Sequence, residues 1–148
     1  MTVAQQILDL ISKTESRSDQ QKVFTEKELQ TVYIAAYQFY QIGEYTKACE
    51  LFVQLTQSQP LNAAAWKGLA SCYQMLSLWD VALNAWAFCS LLEETDAAPH
   101  YYAAECLHAQ KQHQEAKKAL TKARSLCQGP KGASLLQKIN LLEEFCTT

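Results

Sequence analysis

The chain repeats itself every 34 residues, and that period constrains its fold more than any other feature. Ala48, Ala82 and Ala116 are spaced by 34, as are Phe52, Trp86 and Leu120. The same step relates Phe39, Tyr73 and Leu107, and the pairs Ala35-Ala36, Leu69-Ala70 and Ala103-Ala104. Val32, Trp66 and His100 open each unit, and Tyr45, Trp79 and His113 mark a turn inside it. Self-similarity at such a period means one supersecondary unit used three times. Small residues at the alanine positions let two antiparallel helices approach closely, and the large residues opposite fill the space toward the next unit. One such pair cannot bury its apolar face alone, so three units must stack and share a core.

Those positions match the pattern of the tetratricopeptide repeat. The second unit, with Trp66, Leu69, Ala70, Tyr73, Ala82 and Trp86, is nearest to it; the third is the most degenerate, with His100, Lys111 and His113 at pattern positions. Few breakers (Gly 4, Pro 3) and a hydrophobic content of 49% agree with an all-α chain that has a real core. The fold class expected is therefore an all-α tetratricopeptide solenoid of three tandem repeats with flanking amino- and carboxyl-terminal helices. Helices are expected near 26–42, 45–58, 62–76, 79–92, 97–110 and 113–127. Thr25-x-x-Glu28 reads as a capping box, Gly43 as a carboxyl-end cap, Asn62 as an amino-end cap, and Gly129-Pro130 as a break before a last helix. Residues 1–24 read as an amino-terminal helix, with Val3, Ile7, Leu10 and Ile11 on one face, followed by a polar, mobile connector from Thr14 to Lys22. Residues 25–128 hold the repeats, at about 29–62, 63–96 and 97–130, and 129–148 a helix whose stripe of Leu135, Leu136, Ile139 and Leu142 caps the solenoid. The amino-terminal helix either caps the other end or pairs with a second subunit.

A net charge of -2 without a basic cluster argues against nucleic acid or an anionic membrane as the main partner. The first residues lack the basic start and cleavage site of a secretory signal, and no apolar run reaches the ~20 residues of a membrane helix. A cytoplasmic protein is expected. The six cysteines, Cys49, Cys72, Cys89, Cys106, Cys127 and Cys146, form no CxxC pair, fall inside apolar helical patterns and read as buried thiols. His100, His108 and His113 match no zinc template by spacing, so no metal site and no cofactor are expected. The chain has no glycine-rich phosphate loop, HExxH or Gly-x-Ser-x-Gly, and no catalytic residue is assigned. A binding module is expected, not an enzyme.

In stacked helix pairs the first helix of each unit lines a groove. The residues not needed for packing are Tyr33, Tyr37 and Tyr40 in the first unit, Lys67, Ser71 and Gln74 in the second, and Tyr101, Glu105 and His108 in the third. Tyrosines supply a large, rigid contact area and a hydroxyl for the backbone of a bound chain, so this groove suits an extended peptide. The competing reading makes the tyrosines core residues under the amino-terminal segment, although Val32, Ala35, Ala36 and Phe39 already supply a packing face. Lys67 and Glu105 read either as ligand contacts or as a surface pair.

The run Tyr33-x-x-x-Tyr37-x-x-Tyr40-Gln41-x-Gly43-x-Tyr45, followed by Ala48 and Phe52, resembles the first repeat of the class II chaperones of bacterial type III secretion. Ala103-Ala104-Glu105-Cys106-Leu107 is similar to a segment of their third repeat, so the resemblance covers roughly residues 28 to 127. It implies a bacterial cytoplasmic chaperone that clasps an extended segment of a secreted hydrophobic translocator, often of the form Pro-x-Leu-x-x-Pro, with Tyr33, Tyr37 and Tyr40 in the groove. It also implies a homodimer formed through the amino-terminal region. The chain departs from the family there: Ser16-Arg17-Ser18-Asp19-Gln20-Gln21 stands where a Gly-Gly-Thr-Leu-like segment is common, which leaves an effector as an alternative substrate. A general tetratricopeptide adaptor and a secretion-apparatus assembly subunit are the alternative functions. An adaptor that reads a carboxyl terminus needs several basic groove residues, and Lys67 is the only one among the nine positions.

Overall fold

A computed structural model describes residues 24–146, all of whose regular structure is helical. Helix α1 spans Glu26–Gln41, α2 Tyr45–Ser58, α3 Ala63–Met75, α4 Trp79–Leu92, α5 Ala98–Ala109, α6 His113–Leu126 and α7 Gly129–Cys146. The six repeat helices fall within a residue of the expected spans. The amino-terminal helix and its connector lie outside the described residues.

Local chemistry sets the ends. The Thr25 hydroxyl accepts from the Glu28 amide at 3.2 Å, and the Asn62 side chain accepts from the Ala65 amide at 3.3 Å, each satisfying an orphan amide of a first turn. Asp96 Oδ1 accepts from the Ala98 amide at 3.0 Å at the start of α5. The turn inside each unit is one motif used three times. The amide of Gly43 donates to Tyr40 O and that of Glu44 to Phe39 O; Ser77 and Leu78 repeat this on Gln74 O and Tyr73 O, and Lys111 and Gln112 on His108 O and Leu107 O. This Schellman arrangement needs a left-handed residue after the cap. Gly43 (φ 84), Ser77 (φ 58) and Lys111 (φ 61) supply it, 34 residues apart.

The packing follows the period too. Ala36, Ala70 and Ala104, and Ala48, Ala82 and Ala116, are fully buried where helices meet, while Phe52, Trp86 and Leu120 fill the spaces between units. Each helix packs on the next in chain order. The main core runs from α1 to Cys106 of α5, and a second cluster joins Ala104, Ala116, Leu120 and Ala123 to Ile139 of α7, with Leu135, Leu136 and Leu142 against it. Full burial of side chains such as Phe52 and Ile139 stabilises by roughly 1.5–3 kcal/mol each. All six cysteines are free thiols, and only Cys127 is not buried.

Candidate functional site

The 3.6-residue period of α1 sets Tyr33, Tyr37 and Tyr40 in a row. Their rings form a ladder: Tyr33 and Tyr37 stack at 6.2 Å between centroids, and Tyr37 and Tyr40 lie 6.4 Å apart. The ladder is anchored at both ends. Tyr33 meets Phe52 edge-on at 6.1 Å and Tyr40 meets Tyr45 at 5.3 Å, so both rings are half in the core. Tyr37 between them is 50% exposed. Burial, reinforced by Tyr45, raises the Tyr40 phenol above its ordinary value and keeps it a neutral donor.

These rings wall a cleft of about 320 Å³ between α1 and α3, completed by Phe52, Ala64, Lys67, Gly68 and Ser71. Five of the nine expected groove residues therefore share one cavity. Gly68 is a lining residue that periodicity did not single out. A β-carbon there would come within 2.3 Å of the Phe52 ring, so the glycine lets Phe52 reach under the cleft. An isolated glycine inside a helical pattern was the available signal.

The other four positions are tied into the protein. Gln74 donates to Glu105 Oε1 at 3.1 Å and accepts from the Trp86 indole at 3.0 Å. Glu105 also accepts from the Tyr101 hydroxyl at 3.4 Å. Tyr101 is only 8% exposed, and burial with the adjacent Glu105 carboxylate pushes its phenol up to about 12. Its ring belongs to the second core cluster. This polar chain couples the second and third units. His108 turns to the carboxyl-terminal helix, with Nδ1 3.3 Å from His113 Nδ1 and 3.7 Å from Cys146 Sγ.

Lys67 and Glu105 do not pair with each other. Lys67 Nζ lies 2.7 Å from both Glu93 Oε2 and Asp96 Oδ2, two carboxylates of the turn between the second and third units. Burial alone would lower the Lys67 ammonium, but hydrogen bonds to Asp96 and Glu93 outweigh it and raise it; burial alone would raise the Asp96 carboxyl, but hydrogen bonds from Lys67 and the Ala98 amide outweigh it and lower it. The turn carboxylates hold the lysine in place, and sequence spacing gave no hint of them. A second, mostly apolar cleft of about 350 Å³ lies between α2, α3 and α4, lined by Val53, Trp66, Leu69, Val81, Ala85 and Phe88 among others.

The aromatic ladder thus lies over a cleft between repeat helices. No protein-family model matches the chain. Over 98 residues it is 26% identical to the low calcium response locus protein H of Yersinia pestis; the match covers 66% of this chain and 58% of that protein, a little over half its length. A chain of the CopN–Scc3 complex is 30% identical, with a TM-score of 0.75 over 78% of this chain and 69% of the other. PcrH, solved with the chaperone-binding region of PopD, is 25% identical with a TM-score of 0.79 over 84% and 94%. The Yersinia enterocolitica type III secretion chaperone SycD, solved with a peptide of the translocator YopD, shares the fold at 23% identity and a TM-score of 0.79 over 83% and 95%. This chain belongs to the type III secretion translocator chaperones. Members of this family are not enzymes, and among the described residues no helix is long and apolar enough to cross a membrane.

Proposed function

We propose that this chaperone binds one extended segment of a hydrophobic translocator in the cleft walled by Tyr33, Tyr37 and Tyr40, in the bacterial cytoplasm before export. The observation that carries the reading is the ladder itself. Tyr33 and Tyr40 are fixed from below by Phe52 and Tyr45, while Tyr37 presents half its surface to solvent beside Lys67 and Ser71. Pre-set rings lose little rotamer freedom when a chain docks, which favours binding of a flexible peptide. A segment meant for a host membrane would aggregate or insert early if left free, and holding it extended in a cleft blocks both. PcrH has been solved with the chaperone-binding region of PopD and SycD with a peptide of the translocator YopD, which supports the same class of partner here.

Lys67 favours this reading over a carboxylate-clamp adaptor. Among the described residues it is the only basic one lining the cleft, and Glu93 and Asp96 already engage it. In the proposed role Gln74, Tyr101 and Glu105 hold the second and third units in register, and the contacts to substrate come from the first unit with Lys67 and Ser71. Calorimetric titration with a Pro-x-Leu-x-x-Pro peptide tests the proposal. Binding of about -8 kcal/mol, micromolar in strength, is expected, and Tyr37→Ala should weaken it at least tenfold with helicity unchanged. Equal binding by wild type and Tyr37→Ala would move the site elsewhere, and no binding by either folded protein would sink the motif. A homodimer is part of the proposal, read from light scattering on the full chain.

A further inference from the structure

The third unit and the carboxyl-terminal helix converge on one point from three turns of chain. His108 lies in the last turn of α5, His113 is the first residue of α6, and Cys146 is the last residue of α7. One ligand atom from each falls within 4.8 Å of the others. We propose that His108, His113 and Cys146 form a zinc(II) site that fastens α7 to the turn of the third repeat.

His108 Nδ1 lies between the two other candidate ligand atoms. An imidazole Nδ1 offers either one lone pair or one proton, directed in the ring plane. Yet His108 Nδ1 has two neighbours, His113 Nδ1 at 3.3 Å and Cys146 Sγ at 3.7 Å. Hydrogen bonding would have to share that one slot between both neighbours. A cation among the three atoms uses a lone pair from each.

Two of the three ligand separations match those around a tetrahedral ion. With Zn–N near 2.05 Å and Zn–S near 2.3 Å, two nitrogens sit roughly 3.3 Å apart and a nitrogen and sulfur about 3.6 Å apart. The 3.3 and 3.7 Å separations lie within about 0.2 Å of those values, and all three ligand atoms lie within 4.8 Å of one another. The ligand set selects the metal class. Two imidazoles and a thiolate suit zinc, while calcium and magnesium require oxygen ligands that this cluster does not offer. Three protein ligands leave the fourth position to water. The Cys146 proton passes to solvent as the sulfur–zinc bond forms.

Burial supports a built site. Cys146 is 3% exposed and both histidines are half-buried. The His108 ring is flanked by His113 at 5.1 Å and by Phe145 at 6.3 Å. A metal here would take His108 out of the groove and use it to lock the end of the solenoid.

The test uses the full chain, stripped of metal by chelator and titrated with cobalt(II), then with zinc in competition. One equivalent of cobalt should give the intense visible bands of a tetrahedral ion and a thiolate charge-transfer band, which zinc then abolishes. Cys146→Ser should lose the charge-transfer band, and His113→Gln should weaken cobalt binding tenfold or more. Cys127→Ser, at a cysteine outside the cluster, should match wild type. Zinc should raise the melting midpoint of wild type and not that of His113→Gln, a half-buried position where the fold is least at risk. No charge-transfer band in wild type, or one that survives Cys146→Ser, overturns the proposal. So does an equal zinc-induced shift in wild type and His113→Gln.

Discussion

Ser77 occupies a left-handed backbone position that its counterpart in the first unit fills with glycine. Replacing it by Gly should therefore stabilise the protein. A non-glycine residue in this region costs roughly 1–2 kcal/mol from the clash of its β-carbon with the following carbonyl. Glycine removes that cost but adds freedom to the unfolded chain, which takes back about 0.4–1 kcal/mol. The side chain itself adds little: Ser77 is exposed, and its turn is held by backbone bonds, Ser77 to Gln74 O at 3.0 Å and Leu78 to Tyr73 O at 2.9 Å. The net gain expected is about 0.5–1 kcal/mol, or ~2–3 °C in melting midpoint for a chain of this size. The reciprocal change, Gly43→Ala, should lose a similar amount. A β-carbon at Gly43 meets nothing within 4 Å, so only backbone strain acts. Urea unfolding of the two variants, with unchanged m-values, reads both signs in one experiment. If Ser77→Gly is neutral or destabilising while Gly43→Ala costs the expected amount, the equivalence of the two turns is wrong. If both are neutral, left-handed strain does not govern these turns.

The remaining predictions concern the site. Gly68→Ala gains up to ~1 kcal/mol of helix propensity but forces the Phe52 ring away from contacts of 2.3 to 2.7 Å. Overpacking costs about 1–3 kcal/mol, so a net loss of roughly 1 kcal/mol is expected by chemical denaturation, together with weaker peptide binding; a stabilised variant would show that the ring moves freely. The Lys67 cluster should shape the pH profile. Asp96 is held below 3.8, so its contribution is present above that value and lost as pH falls through the lowered one; Lys67 is raised above 10.5, so its contribution is full below 10.5 and lost as pH rises through the raised value. Asp96→Asn should flatten the acid limb and cost about 0.5–1 kcal/mol at neutral pH, modest because these groups are part-exposed; an acid limb identical to wild type would refute it. Tyr101→Phe should cost about 1 kcal/mol by removing the hydroxyl from Glu105 and leave peptide affinity within twofold, whereas a large affinity loss would return Tyr101 to the groove.

The fold was legible because its determinants are local and recur. A 34-residue period fixes which residues are small and which are large, so Ala36, Ala70 and Ala104 could be placed at helix contacts before any coordinates. Caps read equally well: Thr25, Gly43 and Asn62 act within three or four residues of themselves. The same logic found the Tyr33, Tyr37 and Tyr40 face, since one helix suffices to align it. Partners across units were a different matter. Lys67 meets Glu93 and Asp96, 26 and 29 positions on, and Gln74 meets Glu105 at a separation of 31. None of these separations is the repeat period, so periodicity carries no information about them. They depend on how far each turn swings, which is a property of the assembled solenoid.

The histidine and cysteine cluster makes the same point more sharply. Read along the chain, His108 and His113 are five apart and Cys146 is 33 further on, a spacing that fits no zinc template. Templates of that kind assume a short loop that folds around the metal by itself. Here the solenoid does the gathering: the Schellman turn at Lys111 folds α6 back beside α5, and the apolar stripe ending at Leu142 lays α7 along them, which delivers Cys146 to the two imidazoles. The cluster is thus a consequence of the repeat's own geometry acting on three residues that the repeat pattern does not require. Any pattern search confined to sequence distance would pass over it, and the same holds for the pairing of Lys67 with its carboxylates.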